Sequence, residues 1–271
     1  MQATVAQRTN HDIFAGRRVA ITGGTSGLGL ALVRHFLERG AHVAFVARHR
    51  DQVERIAAQH ERAHGVTGDV SLKDDIYPMV MQILGALGGV DVLVNNASAL
   101  GPVPLALLGD TACEDFARAL DTNVLGPFRL TRALLGALAA SAREGSGAVV
   151  VNVSSDAAIE PYPRWGAYGA SKAALRHMSR VWHEELRTDG ITVLTLDPGD
   201  MDTPLHSAAV PDADPASLKR PEDAAGEIAA AVAAALTAKN QKAELRTPNH
   251  EPEPGTPNPE PGTAPSQEFA R

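Results

Sequence analysis

Short apolar runs alternate with longer amphipathic stretches from residue 17 onward. The stretches at 26–40, 50–62, 111–140, 166–188 and 221–238 have the length and pattern of helices. Five intervening runs have the Val, Ile and Leu content of buried strands: "RRVAIT", "AHVAFVA", "VDVLVNNA", "GAVVVNVSS" and "ITVLTLDPG". Because such strands form parallel sheets covered on both faces, the pattern predicts an α/β fold, a three-layer doubly wound parallel sheet.

The two ends of the chain differ from its centre. We expect an N-terminal extension over 1–16, one doubly wound domain over 17–238, and a disordered proline-rich tail over 239–271. The tail holds 7 of the 18 prolines and contains "EPGT" twice, at 253 and 260. Such a segment has too little apolar surface to offset the entropy lost on ordering.

Composition and charge narrow the classes of partner. The chain has 271 residues, 44% of them hydrophobic, and a net charge of −7, which argues against binding to nucleic acid or anionic membranes. No apolar run reaches the roughly 18 residues of a transmembrane helix. The single Cys113 cannot form an internal disulfide and has no neighbours at metal-ligand spacing, so we expect a cytoplasmic protein without a metal site.

The segment "ITGGTSGLGLAL" places Gly23, Gly27 and Gly29 where a strand turns into a helix. A turn of this kind brings backbone N–H groups and the positive end of the helix against a phosphate. The usual G-x-G-x-x-G pattern fails because Leu32 occupies the third glycine position, and a P-loop fails because Leu30 and Ala31 follow Gly29. A glycine-rich turn without a ligand is the alternative.

The spacing T-G-x-x-x-G-x-G from Thr22 to Gly29 resembles the short-chain dehydrogenase/reductase family. The motifs "GDV", "NNA", "DTNVLG", "VNVSS", "YGASK" and "PGDMDT" follow in that family's order. The resemblance implies a Rossmann-like domain that binds a nicotinamide dinucleotide. The cofactor-binding residues that it implies are Gly23, Thr25, Ser26, Gly27, Leu28, Gly29, Asp69, Val70, Asn96, Ala97, Tyr168, Lys172, Pro198, Gly199, Met201 and Thr203.

Tyr168 and Lys172 are four residues apart, so on a helix they share one face. The resemblance implies that Tyr168 exchanges a proton with the substrate oxygen and that Lys172 also binds the nicotinamide ribose. We expect the Lys172 ammonium to lower the phenol pKa by about 3 units, which takes about 4 kcal/mol. A charge about 4 Å away at an effective dielectric near 20 supplies about that much.

The resemblance adds two further catalytic residues, Ser155 and Asn123. Ser155 would hydrogen-bond the substrate oxyanion, with the adjacent Ser154 as the competing assignment. Asn123 would hold a water against Lys172 and complete a proton relay. Each has an ordinary alternative: Ser155 as a cap at a strand end, Asn123 as a break in helix hydrogen bonding, and Tyr168 as a packing residue.

The end of the second strand bears on the choice of dinucleotide. An acidic residue there would bond the ribose 2′-hydroxyl of NAD, whereas an arginine accommodates the 2′-phosphate of NADP. Here Ala47 and Arg48 stand at that point, followed by His49 and Arg50. The sequence therefore predicts that NADP(H) is preferred and that NAD(H) is possible, with Arg48 as the phosphate ligand.

On the substrate side we expect Trp165, Arg164 and His206 to border the pocket, with a small polar lid over 205–220. Loop-surface or subunit-contact roles are the alternatives for these residues. The predicted function is hydride transfer between a dinucleotide and a small carbonyl or alcohol. The alternatives are a catalytically weak NADP(H) sensor or scaffold, and an epimerase or dehydratase using the same tyrosine.

The C-terminal region also bears on assembly. Members of the family usually end in a last strand, and here the polar tail replaces it, so we expect that strand to be short, degenerate or absent. This puts a tetramer in doubt. A homodimer through the helices near 111–140 and 166–188 is the expectation.

Overall fold

The computed structural model describes residues 12–244 of the chain. Six parallel strands form one sheet in the order β3-β2-β1-β4-β5-β6. The strands are β1 (Arg18–Thr22), β2 (His42–Ala47), β3 (Ala63–Thr67), β4 (Val92–Asn95), β5 (Ala148–Val153) and β6 (Ile191–Leu196). The strand order reverses between β1 and β4, and an α/β sheet forms its ligand crevice at such a switch point.

Eight α-helices accompany the sheet within the described residues: α1 (Gly27–Glu38), α2 (Arg50–Ala57), α3 (Lys73–Leu87), α4 (Cys113–Leu120), α5 (Gly126–Arg143), α6 (Gly166–Leu186), α7 (Pro204–Ala209) and α8 (Pro221–Glu244). One hydrophobic core joins α1 and α8 to one face of the sheet, and a second joins α3 and α5 to the other. This is the predicted three-layer doubly wound fold.

Three of these strands and helices were not predicted from the sequence: β3, α3 and the short α7. β3 carries "AHGVT", in which His64 and Gly65 interrupt the apolar pattern. Its pairing with β2 defines it, from Val43 opposite Ala63 to Ala47 opposite Thr67. Helix α2 accordingly ends at Ala57 rather than 62. Helix α3 is the second missed element.

The structure corrects both predicted domain boundaries. Phe14 lies in the predicted extension but is 0% exposed, with its ring edge-on to Phe36 at 5.0 Å between centroids. At the other end α8 continues to Glu244, so 239–244 is helical rather than part of a tail. The rest of the predicted extension, 1–11, and of the tail, 245–271, lies outside the described residues.

The segment after α8, where the expected last strand would fall, lies outside the described residues, and no strand follows β6 within residues 12–244. In the same part of the chain, no helix is both long and apolar enough to cross a membrane. Nor does that part bring together three or more His, Cys, Asp or Glu side chains in a group that could hold a metal ion.

Candidate active site

A cleft of about 1070 Å³ opens at the carboxyl ends of the strands, at the switch point between β1 and β4. Residues after all six strands line it. All 17 cofactor-binding residues expected from the sequence, Arg48 included, contribute to this lining. Ser155 lines the cleft as well, whereas Asn123 does not.

The glycine turn is held against Asn96 from the loop after β4. Its Nδ2 donates to the Thr22 carbonyl oxygen at 2.9 Å, and the N–H groups of Asn96 and Ala97 each donate to Thr22 Oγ1 at 3.0 Å. A Cβ on Gly29 would lie 2.0 Å from the Gly23 oxygen and 2.6 Å from Asn96 Nδ2. Gly23 also has φ +71°, so the tight turn requires glycine at both positions.

The start of α1 fits the diphosphate of a dinucleotide. Ser26 at its N-cap makes no side-chain cap hydrogen bond, and no acidic residue lies in the first turn. The N–H groups and the positive helix end therefore face the cleft without a competing side chain or negative charge. The residues present fit the group that the glycine spacing predicts.

At the other end of the cleft, Arg48 is exposed on the rim directly after β2. His49 and Gln52 join it in the lining, and Arg50 does not. Asp69 Oδ1 accepts hydrogen bonds from the N–H and the hydroxyl of Ser71, at 2.9 and 2.7 Å, which fixes the carboxylate at the cleft wall.

Tyr168 and Lys172 occupy the first half of α6, where they are 7% and 2% exposed. Lys172 Nζ donates to the Val153 carbonyl oxygen at the end of β5, at 2.8 Å. The same Nζ lies 5.4 Å from the centroid of the Tyr168 ring. The helix thus brings the two side chains together as their spacing predicts, with the ammonium beside the ring.

The expected lowering of the tyrosine pKa is wrong for this arrangement. Burial raises the pKa of Tyr168 to about 12, against the opposing effect of hydrogen bonds with Ser155 and Ser98. Burial also lowers the pKa of Lys172 to about 8, which Asp197 partly counters. The cost of removing both groups from water outweighs the attraction between them, and this cost depends on burial, which the spacing of the two residues does not reveal.

The two serines after β5 differ in environment. Ser155 Oγ donates to Asp156 Oδ1 at 2.9 Å and accepts from the Ala157 N–H at 3.2 Å. Its side chain also lies beside the Tyr168 hydroxyl, where it lowers the phenol pKa. Ser154 is 6% exposed, and its hydroxyl has no hydrogen-bond partner. Of the two serines, Ser155 therefore lies beside the Tyr168 hydroxyl.

Asn123 lies in a π-helical turn, Asp121–Leu125, between α4 and α5, and is 1% exposed. Nδ2 donates to the Ala99 oxygen and to Ser171 Oγ, both at 2.8 Å. Oδ1 accepts from the Ala99 N–H at 2.8 Å and from Ser98 Oγ at 3.1 Å. Since these bonds use the whole amide, its side chain cannot also hold a relay water, and it instead ties the loop after β4 to α6.

The substrate-side expectations divide. Trp165 and His206 line the cleft, and the Trp165 ring lies edge-on to Tyr168 at 5.6 Å between centroids. Nε2 of His206 is 3.8 Å from Asp200 Oδ1. Arg164 is corrected: it is exposed, sits in a turn with φ +74°, and lies outside the cleft lining.

The expected lid is built by α7 and the segment after it, which Lys219 joins to Met201 through a β-bridge. The apolar side chains of this lid were not predicted from the sequence. Leu205 and Val210 from the lid face the cleft together with Leu100 and Val103 from the loop after β4. Asp156 was also not predicted as a residue of the site, although it directly follows Ser155 in the sequence.

Comparisons with known proteins agree with this geometry. The sequence model of the short chain dehydrogenases matches residues 17–214. The chain belongs to the short-chain dehydrogenase/reductase family. It is 34% identical to the glucose 1-dehydrogenase of Gluconobacter oxydans over 206 residues, 74% of this chain and 75% of that one. It is also 34% identical to the serine 3-dehydrogenase of Agrobacterium fabrum over 187 residues, 68% of this chain and 72% of that one.

Solved structures of the family give the same result. The 3-ketoacyl-(acyl-carrier-protein) reductase of Brucella melitensis, complexed with NADH, superposes with a TM-score of 0.75 at 31% identity, over 80% of this chain and 90% of that one. A short chain dehydrogenase from Shigella flexneri, complexed with NADP, superposes with a TM-score of 0.72 at 25% identity, over 79% and 90%. This short-chain dehydrogenase/reductase is therefore an NAD(P)-dependent oxidoreductase with a Rossmann-like domain.

Proposed function

We propose that this protein transfers hydride between a nicotinamide dinucleotide and a small carbonyl or alcohol substrate, with Tyr168 as the acid or base. The observation that carries the proposal is the placement of the Tyr168 hydroxyl. It lies in the cleft beside Ser155, at the carboxyl end of the sheet, with Lys172 buried beneath it.

Each of the three residues Tyr168, Ser155 and Lys172 has a separate role in the proposed reaction. When bound, the dinucleotide supplies the hydride in reduction or accepts it in oxidation. The Tyr168 phenol donates its proton to the carbonyl oxygen as negative charge develops there, and Ser155 donates a hydrogen bond to the same oxygen. Lys172 keeps a positive charge next to the phenol and favours the phenolate left after proton transfer. A phenol pKa of about 12 keeps this acid protonated at neutral pH, which suits the reductive direction.

Replacing Tyr168 by Phe tests the assignment. Loss of the proton donor should lower kcat of NAD(P)H-dependent ketone reduction by about 10²–10⁴-fold, while dinucleotide binding stays nearly intact. Tyr77→Phe is the matched control, because Tyr77 is exposed on α3 and lies outside the cleft. Retained turnover in the Tyr168 variant would contradict the mechanism.

The two alternatives give different results in the same assay. A sensor or scaffold would bind dinucleotide without turnover above the Tyr168→Phe background on any carbonyl or alcohol. An epimerase or dehydratase would convert substrate without net consumption of dinucleotide. Substrate conversion with stoichiometric oxidation of NAD(P)H supports the oxidoreductase.

We further propose that NADP(H) is preferred and that NAD(H) is accepted less well. The support comes from the cleft rim after β2. Arg48 and His49 line it, and the strand ends in Ala47 rather than in an acidic residue. A guanidinium there can grip a 2′-phosphate through paired hydrogen bonds, whereas a carboxylate would repel it. Relatives in complex with NADH and with NADP are both known.

We also propose a cytoplasmic homodimer. The single cysteine of the chain, Cys113, is exposed, which suits a reducing compartment. Phe128 of α5 contacts Trp182 of α6, and apolar side chains close to them in the chain remain exposed: Leu125, just before α5, at 39%, and Val181 of α6 at 42%. Burial of this surface against a second copy is the simplest way to remove it from water.

A further inference from the structure

Asp156 is joined to the catalytic serine. Its Oδ1 accepts hydrogen bonds from Ser155 Oγ at 2.9 Å and from the Ala157 N–H at 2.7 Å. Its Oδ2 accepts one from the Tyr162 hydroxyl at 2.8 Å. Ser155, Asp156 and Tyr162 all line the cleft, on the side of Trp165. Asp156 is therefore part of the substrate wall, one hydrogen bond away from the groups that hold the reacting oxygen.

The Asp156 carboxylate is ionised at neutral pH. Partial burial works to raise its pKa, but hydrogen bonds from Tyr162, Ser155 and the backbone together hold it below the usual value. An ionised carboxylate accepts about four hydrogen bonds, of which three are made here. The side chain is also exposed to the cleft, so a ligand can reach the remaining position.

Substrate binding requires Ser155 to change partner. Its hydroxyl has one proton, which points to Asp156, whereas the proposed function needs that proton on the substrate oxygen. When Ser155 turns to the substrate, Asp156 Oδ1 loses a donor next to the reacting carbon. A donor on the adjacent carbon of the substrate can take the vacated place, and a carboxylate there would meet a like charge.

We propose that Asp156 selects carbonyl and alcohol substrates that carry a hydrogen-bond donor, a hydroxyl or an ammonium group, on the carbon next to the reacting one. The inference rests on the proposed function, since it places the reacting oxygen between Ser155 and Tyr168. Asp156 acts as a specificity-determining residue and exchanges its bond from Ser155 for one from the substrate. Substrates with an adjacent carboxylate are disfavoured.

The test uses four ketones that share the phenyl-CO-CH₂-X skeleton. X is hydrogen in acetophenone, hydroxyl in 2-hydroxyacetophenone, ammonium in 2-aminoacetophenone and carboxylate in benzoylacetate. Reduction by NADPH is followed with the wild-type enzyme, with Asp156→Asn and with Asp200→Asn. Because the ketones differ in intrinsic reactivity, the quantity compared is the ratio of kcat/KM for each X to that for hydrogen, between wild type and variant.

We expect Asp156→Asn to lower the hydroxyl-to-hydrogen and ammonium-to-hydrogen ratios by about tenfold, the usual effect of losing a hydrogen bond to a charged group. The carboxylate-to-hydrogen ratio should rise. Asp200 also lines the cleft but does not bond Ser155, so Asp200→Asn should leave the hydroxyl ratio unchanged. The hydroxyl ketone is uncharged, so a fall in its ratio reports a hydrogen bond to Asp156 and not the attraction of a cation to a negative cleft.

Unchanged ratios in Asp156→Asn would overturn the inference while the proposed function stands. A fall in the ammonium-to-hydrogen ratio alone, equal in Asp156→Asn and Asp200→Asn, would also overturn it. Such a result would show that the cleft attracts cations through its overall negative charge and not through a hydrogen bond to Asp156. Absence of any Tyr168-dependent reduction would overturn the proposed function and this inference with it.

Discussion

At the scale of single residues, Lys172 combines its proposed catalytic role with an unfavourable location for a charge. It is 2% exposed, and burial lowers its pKa to about 8 from the ordinary 10.5. The hydrogen bond to the Val153 carbonyl oxygen offsets only part of the lost hydration. The charge that supports Tyr168 is therefore held at a cost in stability.

This cost predicts that Lys172→Met stabilises the protein at pH 7 while abolishing most of its activity. The pKa of Lys172 is lower in the folded than in the unfolded chain, so the unfolded chain holds the extra proton between about pH 8 and 10.5. The free energy of unfolding of the wild type therefore rises with pH through this window. At pH 7 we expect the variant to be more stable on the order of 2 kcal/mol.

Urea unfolding at pH 7 and pH 9.5 measures the effect, and the gap between variant and wild type should narrow at the higher pH. An unfolded tyrosine is partly ionised at pH 9.5, but Tyr168 is present in both proteins, so the effect of its raised pKa on stability largely cancels in this gap. Lys73→Met is the matched control: Lys73 is exposed on α3, and its loss should change stability by less than about 0.5 kcal/mol. Equal stability of wild type and Lys172→Met at pH 7 would contradict the argument.

The sequence predicted which residues come together in the site, but it did not predict their pKa values or their hydrogen-bond partners. The i, i+4 spacing places Tyr168 and Lys172 on one face of α6, and this is what the structure shows. Their pKa values depend on burial, which arises from contacts between α6, β5 and the loop after β4, far apart in the chain. The same holds for Asn123, whose amide partners come from residues 98, 99 and 171.

At the scale of elements, the junction between β2 and α2 carries the proposed contact with the 2′-phosphate of NADP(H). Arg48 stands on the rim between the last residue of β2 and the first of α2, and no acidic residue occupies the strand end. We predict that Arg48→Asp weakens NADPH binding by about ten- to a hundredfold, because it removes a charged hydrogen-bond donor and adds a repelling charge. NADH, which lacks the 2′-phosphate, should lose much less.

Fluorescence titration of both reduced dinucleotides measures this difference. Arg50→Asp is the matched control, since Arg50 begins α2 only two positions further on and lies outside the cleft lining. It makes the same change of charge and should leave the ratio of the two dissociation constants unchanged. Equal losses for NADPH and NADH in the Arg48 variant would refute the phosphate assignment.

Elements were predictable where their pattern is local. The five predicted strands are near-continuous apolar runs, and each forms. β3 was missed because its place depends on pairing with β2 and on Gly65, where a Cβ would lie 2.4 Å from Val53 Cγ1. The boundary at Phe14 was missed because nothing in its immediate neighbours shows that α1 packs against it.

At the scale of the whole molecule, β6 forms one edge of the sheet within residues 12–244. An open strand edge can itself form a subunit contact, so the helical contact is a proposal that rests on the apolar side chains of α5 and α6. Phe128 of α5 and Trp182 of α6 meet edge-on at 5.8 Å between ring centroids. Val181, the neighbour of Trp182, is 42% exposed. Since α6 also carries Tyr168 and Lys172, a subunit contact on this helix would involve the same element as the proposed active site.

We predict that the protein is a homodimer in solution and that Val181→Asp shifts it to the monomer, because the substitution would bury a charge in the contact. Sedimentation velocity over a range of concentrations measures the distribution. Met81→Asp is the control: Met81 is 68% exposed on α3, so a charge there should leave the dimer intact. A monomeric wild type, or equal dissociation of both variants, would exclude a subunit interface at α5 and α6. Met81 is more exposed than Val181, so only an interface at α5 and α6 would make the dimer more sensitive to a charge at Val181.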